Sequence, residues 1–247
     1  MLRAMESLTL PMKSLLDPVD AVPQAVSGRR WVVPLVLLMV STSVAGAAIA
    51  SRVDVAPRVI AGLQKEGDLQ KKSEREIGEA VEQAQRVGLV LGVAQGVFLV
   101  PLLTLLGAIV LRVAAWLLGL KTSFGAMFSV MAVSQLPRVV FRILQTVVAL
   151  KQEVIAEKHV ANLLVTSVAQ IVTEPGPHLK AALSTLDFFS VWVAISLGLG
   201  FSAATGISRS KGLLFGVCMY VLFAALFFIG IPGLMAGAEG AGAGGPR

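Results

Sequence analysis

Long apolar runs alternate with short polar stretches along this chain, and the alternation predicts its elements before any single residue does. The runs are Trp31–Ala50, Val87–Leu118, Phe124–Leu150, Leu186–Gly206 and Gly212–Leu234. Each reaches the ~20 residues that a helix needs to cross ~30 Å of hydrocarbon. The pattern therefore predicts an all-α polytopic membrane protein with five transmembrane helices. Shorter stretches with apolar residues at helical spacing predict amphipathic helices at the membrane surface.

Residues 17–28 form one such stretch. Asp17 can cap it, Pro18 suits the first helical position, and Gly28 is placed to end it. Val19, Val22 and Val26 supply the apolar face, and Arg29 and Arg30 follow at the head-group level ahead of Trp31. A second stripe, Val160, Leu163, Leu164, Val168, Ile171 and Val172, is too short to cross and fits an interfacial or bundle-capping helix. In the first loop, Ser73 and Glu76 have capping-box spacing, and no proline intervenes before Pro101. One helix is thus expected to start in water at Glu74 and run to Leu118, ~67 Å at 1.5 Å per residue, with a kink at Pro101.

The expected organisation is a cytosolic N-terminal segment with a short interfacial helix over 1–30, a five-helix membrane domain over 31–234, and a flexible Gly/Ala tail over 235–247. Composition agrees: of 247 residues, 55% are hydrophobic and 15% charged, and the mean hydropathy is +0.80. Five spans leave no length for a separate soluble enzyme domain. The net charge of +6 bears on orientation. Lys121 with nearby Arg112, and Arg209 with Lys211, mark short basic loops without acids, whereas loops 51–86 and 151–184 are charge-balanced. Unbalanced positive charge favours the cytoplasmic side, predicting N-terminus in and C-terminus out. Nucleic-acid binding is not expected, because no basic stripe with interleaved aromatics accompanies the charge.

Candidate chemistry is sparse. Gly88, Gly92 and Gly96 recur every four residues and form a ridge that permits close approach of another helix. Ala194, Gly198, Ser202 and Gly206 repeat the pattern in the fourth span. Packing within the chain is the plainer reading of both ridges and homodimerisation the other, with Gln95 expected to hydrogen-bond across the same contact. A polar cluster, Gln135, Pro137, Arg138, Arg142, Asp187 and Trp192, lies in or at the edge of apolar spans. Buried membrane arginines mark function or need a counter-ion. Equal depth pairs Arg142 with Asp187 and leaves Arg138 with no carboxylate at its level, to use carbonyls around Val133 instead. No catalytic set and no cofactor motif is present, and His159 and His178 lack the spacing of a metal site.

Several short motifs then fall in a familiar order. Leu16-Asp17-Pro18 precedes Trp31 and Pro34; Leu117-Leu118-Gly119 is followed by Ser123-Phe124 and by Ser134-Gln135-Leu136-Pro137. Leu186-Asp187-Phe188-Phe189-Ser190-Val191-Trp192 opens the fourth span. In this order the chain resembles the Yip-domain, or Ypt/Rab-interacting, family of integral membrane proteins, and specifically its prokaryotic branch, over about residues 15–232. The resemblance implies a five-helix membrane domain with a cytosolic N-terminus, and the cytoplasmic membrane as location if the source is prokaryotic. Eukaryotic relatives contact small GTPases through an extended N-terminal region. Only residues 1–30 precede the first span here, so small-GTPase binding is not carried over.

The function expected is that of a non-enzymatic membrane protein that organises the bilayer or partner proteins through helix packing. Its expected partners are the lipid bilayer and a homo-oligomer or another membrane protein. The alternative is a transporter or channel for small solutes or ions, using Arg138, Arg142 and the Pro137 kink.

Overall fold

Lipid offers no partner to backbone N–H and C=O groups, so the apolar runs must satisfy them within helices. The computed structural model describes residues 9–10, 13–164 and 187–224. In chain order its elements are α1 (Pro18–Ser27), α2 (Val32–Ala50), β1 (Val53–Asp54), α3 (Ala56–Lys65), α4 (Glu74–Ala94), α5 (Val100–Leu117), α6 (Phe124–Ser134), α7 (Leu136–Lys151), β2 (Ile155–Ala156), α8 (Phe188–Thr205) and α9 (Arg209–Ala224). Among the described residues four helices are long and apolar enough to cross a membrane: Val32–Ala50, Glu74–Leu117, Phe124–Lys151 and Phe188–Thr205. The expected fifth span is helical as far as Ala224. Its remainder, the tail 235–247, His178 and the stripe residues Val168, Ile171 and Val172 lie outside the described residues.

The chain forms two compact units. One comprises 34–106 and 139–164, the other 1–33, 107–138 and 165–247. In the first unit α4 begins with the capping box expected of it. The Ser73 backbone N–H and hydroxyl both donate to the Glu76 carboxylate at 2.7 Å, and the Glu76 N–H donates back to the hydroxyl. Arg75–Glu79 and Glu82–Arg86 ion pairs, each four residues apart, line the exposed turns that follow. The helix then continues into the apolar run. At Pro101 it does not break. Residues Gln95–Leu99 form a π-helical segment instead, with the Val100 N–H donating to the Gln95 carbonyl five residues back. Proline has no N–H and its ring crowds the carbonyl four residues earlier, and one wider turn relieves both.

The loop after α2 and the loop after α7 meet through β1 and β2, a two-stranded parallel pair in the register Val53↔Ile155 and Asp54↔Ala156. No strand is expected from the hydropathy pattern. Ile155 is buried with Ala48 and Ala149, and Val160 and Leu163 pack on them, so the front of the predicted stripe serves this small core. Residues Glu157–Asn162 form a 3-10 helix there. Arg58 adds an ion pair to Glu157 at 2.8 Å. Because the strands pair, both loops occupy the same side of the membrane.

In the second unit α1 forms where expected, between Asp17 and Gly28. Its covered face, however, is Ala21, Val22, Ala25 and Val26, while Val19 is exposed. α6 and α8 pack on this face, with Val22 and Val26 reaching Gly200. The helix end also differs from expectation. Gly28 stays right-handed and Arg29 takes the left-handed position at φ 51°. The Arg30 and Arg29 N–H groups then cap the Ala25 and Val26 carbonyls at 2.9 and 3.0 Å. The Trp31 ring meets Phe128 edge-on at 5.1 Å.

The Glu76 carboxyl is held below its usual range, first by the Ser73 backbone N–H and then by the Ser73 hydroxyl. A lowered folded pKa means that this interaction is complete above the unfolded pKa of ~4.3 and is lost as pH falls through the folded value. Ser73→Ala should raise the Glu76 pKa toward its ordinary value in an NMR titration and speed amide exchange over residues 74–77. Separately, Gly92→Leu should lower the melting temperature in detergent by the equivalent of about 1–3 kcal/mol or more, since overpacking a tight contact forces backbones apart. Val90→Ala, on a side chain 63% exposed, should stay within about 0.5 kcal/mol of the parent.

Candidate functional site

The ridge residues divide sharply by what they touch. A Cβ on Gly92 would overlap the Gly46 carbonyl, and one on Gly46 would overlap Gly92 in return. A Cβ on Gly96 would strike the Ser43 hydroxyl and the Met39 carbonyl. Here α2 and α4 touch backbone to backbone, running antiparallel. Ser43 Oγ donates to the Val93 carbonyl at 3.0 Å, and Gln85 Nε2 donates to the Ala50 carbonyl at 2.5 Å. These two bonds occupy the place expected of Gln95, whose side chain is exposed instead. Gly88 is also outside the contact, with no described residue near the position of a Cβ. Helix rotation accounts for both corrections: the face that α2 covers is centred on Gly92 and Gly96, and Gly88 has drifted off it.

The fourth-span ridge works in the same way. Gly198 abuts the Gly212 carbonyl, Gly212 abuts Gly198 and Ser202, and Gly216 abuts the Ala194 carbonyl. α8 and α9 are thus in backbone contact and antiparallel. The rings of Phe201 and Phe215 stack at 3.7 Å across the same seam. Ser202 Oγ donates to the Ile207 carbonyl at 2.7 Å, which folds the α8–α9 turn back on its helix. Gly206 does not extend the ridge. It takes φ 77° and terminates α8.

The polar cluster separates into distinct jobs. Asp187 caps α8, accepting from the Ser190 N–H at 3.0 Å and the Ser190 hydroxyl at 2.5 Å. Gln135 caps α6 and its N–H donates to the Val133 carbonyl, so that carbonyl is taken by a tight turn. Pro137 is fully buried just after this break. Arg142 donates to Gln145 Oε1 at 2.7 Å on its own helix. Trp192 belongs to an aromatic group, its ring edge-on to Phe188 at 5.5 Å.

Sequence reading missed the receiving sides of both seams: Ser43 and Gly46 on α2, and Gly212 and Gly216 on α9. Gly212 and Gly216 carry the same four-residue signal as the ridges. Gly46 stands alone in its span, with only the small residues Thr42 and Ala50 at that interval. Among the described residues no three side chains of His, Cys, Asp or Glu cluster as metal ligands.

Tightly packed apolar helices of crossing length define a multi-pass integral membrane protein. The family comparison agrees: the Yip1 domain model matches residues 12–231. The chain belongs to the Yip1 domain family. We found no similar curated protein and no similar solved structure.

If Asp187 neutralises Arg138, removing either should cost more than removing both. Double-mutant cycles in detergent between Arg138→Ala and Asp187→Ala should give coupling above ~0.5 kcal/mol, beyond the usual additivity error. Asp187→Asn, which keeps a capping oxygen, should be milder than Asp187→Ala. Coupling found only in the Arg142–Asp187 cycle would assign the carboxylate to Arg142.

Proposed function

We propose that this protein is a non-enzymatic organiser of the membrane, acting on the bilayer or on partner proteins through helix packing, with its N-terminus cytoplasmic and its C-terminus outside. The observation that carries this reading is the pair of backbone-level seams, Gly46–Gly92 and Gly198–Gly212. Helices joined so closely hold a fixed shape, and a fixed shape is what a scaffold presents to lipid or to another protein. The 44-residue helix Glu74–Leu117 adds to it. At ~66 Å it is about twice the hydrocarbon thickness, so it carries a rigid charged rod into water.

Transport through the polar cluster is the second reading, favoured by the break in the third span at Gln135 and the buried Pro137. Broken helices at membrane depth are tolerated where neighbours or a cavity satisfy them. Reconstitution separates the two. The organising reading expects changed vesicle shape by electron microscopy, or a crosslinked partner in cells, with no solute flux. Flux of small anions into proteoliposomes that Arg138→Ala abolishes would replace it with transport.

A further inference from the structure

We propose that the long helix Glu74–Leu117 carries a self-association face that ends on Gln95, and that its occupant is a second copy of this chain. Gly92 and Gly96 are spent on α2, but Gln95 is exposed, and among the described residues no hydrogen bond reaches its amide. It lies nine residues after Arg86 and seventeen before Arg112, about 14 and 26 Å along the helix, well inside the apolar run. A carboxamide has two N–H donors and an acceptor oxygen, and hydrocarbon can satisfy none of them. A partner at that depth must supply the complement.

The surroundings of Gln95 form a strip rather than a point. Gly88 and Leu91 stand seven and four residues before Gln95 on one face of the helix, ahead of the π-helical turn, the spacing of a seam between two helices at a small crossing angle. Leu91 is 58% exposed, and among the described residues nothing fills the space where a Cβ on Gly88 would be, which leaves room for a neighbouring backbone. This strip adjoins the α2 seam without using its glycines, so a partner can dock without unpacking the chain.

Two constraints select a second copy. Every copy inserts with the same topology, so each brings its own Gln95 to the same depth. A carboxamide is also its own complement: across a two-fold axis normal to the membrane, each Nε2 donates to the other's Oε1. An arginine or a carboxylate at this position would repel its symmetry mate.

This face deepens the packing reading above, and the two fail separately, since one is tested by vesicle shape and the other by contact between copies. Full-length protein in native membranes, with Cys218→Ser, would carry Leu91→Cys or, on the far side of α4, Val90→Cys. Oxidation should give a disulfide-linked dimer with Leu91→Cys and at least about fivefold less with Val90→Cys. Adding Gln95→Leu should cut the Leu91→Cys yield by about fivefold or more, given the usual strength of interhelical polar bonds, with Gln95→Asn retaining most of it. The melting temperature of Gln95→Leu should match the parent, and Gly88→Leu should give the same loss by blocking approach. Equal yields at 90 and 91, a yield indifferent to both Gln95→Leu and Gly88→Leu, or a Leu91→Cys adduct with a different protein would each overturn the proposal.

Discussion

Inside hydrocarbon two helices gain nothing by hiding leucines from each other, because lipid tails are as apolar as leucine. What remains is van der Waals contact, which falls off within an ångström, and the few hydrogen bonds that can cross between helices. The close approach at Gly46–Gly92 and at Gly198–Gly212 supplies the first. Ser43 and Gln85 supply the second, each donating to a backbone carbonyl of the facing helix. Gln85 is well placed for this, because the Ala50 carbonyl is at a helix C-terminus and has no intrahelical donor.

The rest of the first unit depends on that seam. With α2 and α4 registered, the chain leaving α2 reaches β1, whose partner β2 leaves α7. The two strands are only two residues each and would not persist alone. They hold because Ile155 is buried against Ala48 and Ala149, side chains of the helices they follow. The exposed Arg58–Glu157 pair adds little by itself.

The second unit solves a different problem, that of charge near apolar helices. Asp187 caps α8, its carboxylate accepting from both the N–H and the hydroxyl of Ser190. The break at Gln135 starts a new helix one turn before Arg138. α1 closes this unit by laying Val22 and Val26 over Gly200, where the missing side chain leaves room for them. Sequence periodicity gives this helix an apolar face, but only its neighbours decide how wide that face is.

Membrane spans, the capping box at Ser73 and the ridges were legible because each is a local property: hydropathy over ~20 residues, a hydroxyl and a carboxylate three apart, small residues four apart. By itself the sequence determined that helices cross the membrane, where the long one starts, and which faces permit close contact. Only the tertiary structure decided which helix fills each face. Gly92 meets Gly46, and among the described residues Gly88 meets nothing, although both belong to one repeat. An interval of four advances 400° around a helix, 40° past a full turn, so a ridge spirals off any straight partner. Which of its members touch depends on where that partner lies, and the partner is set by contacts far apart in the chain.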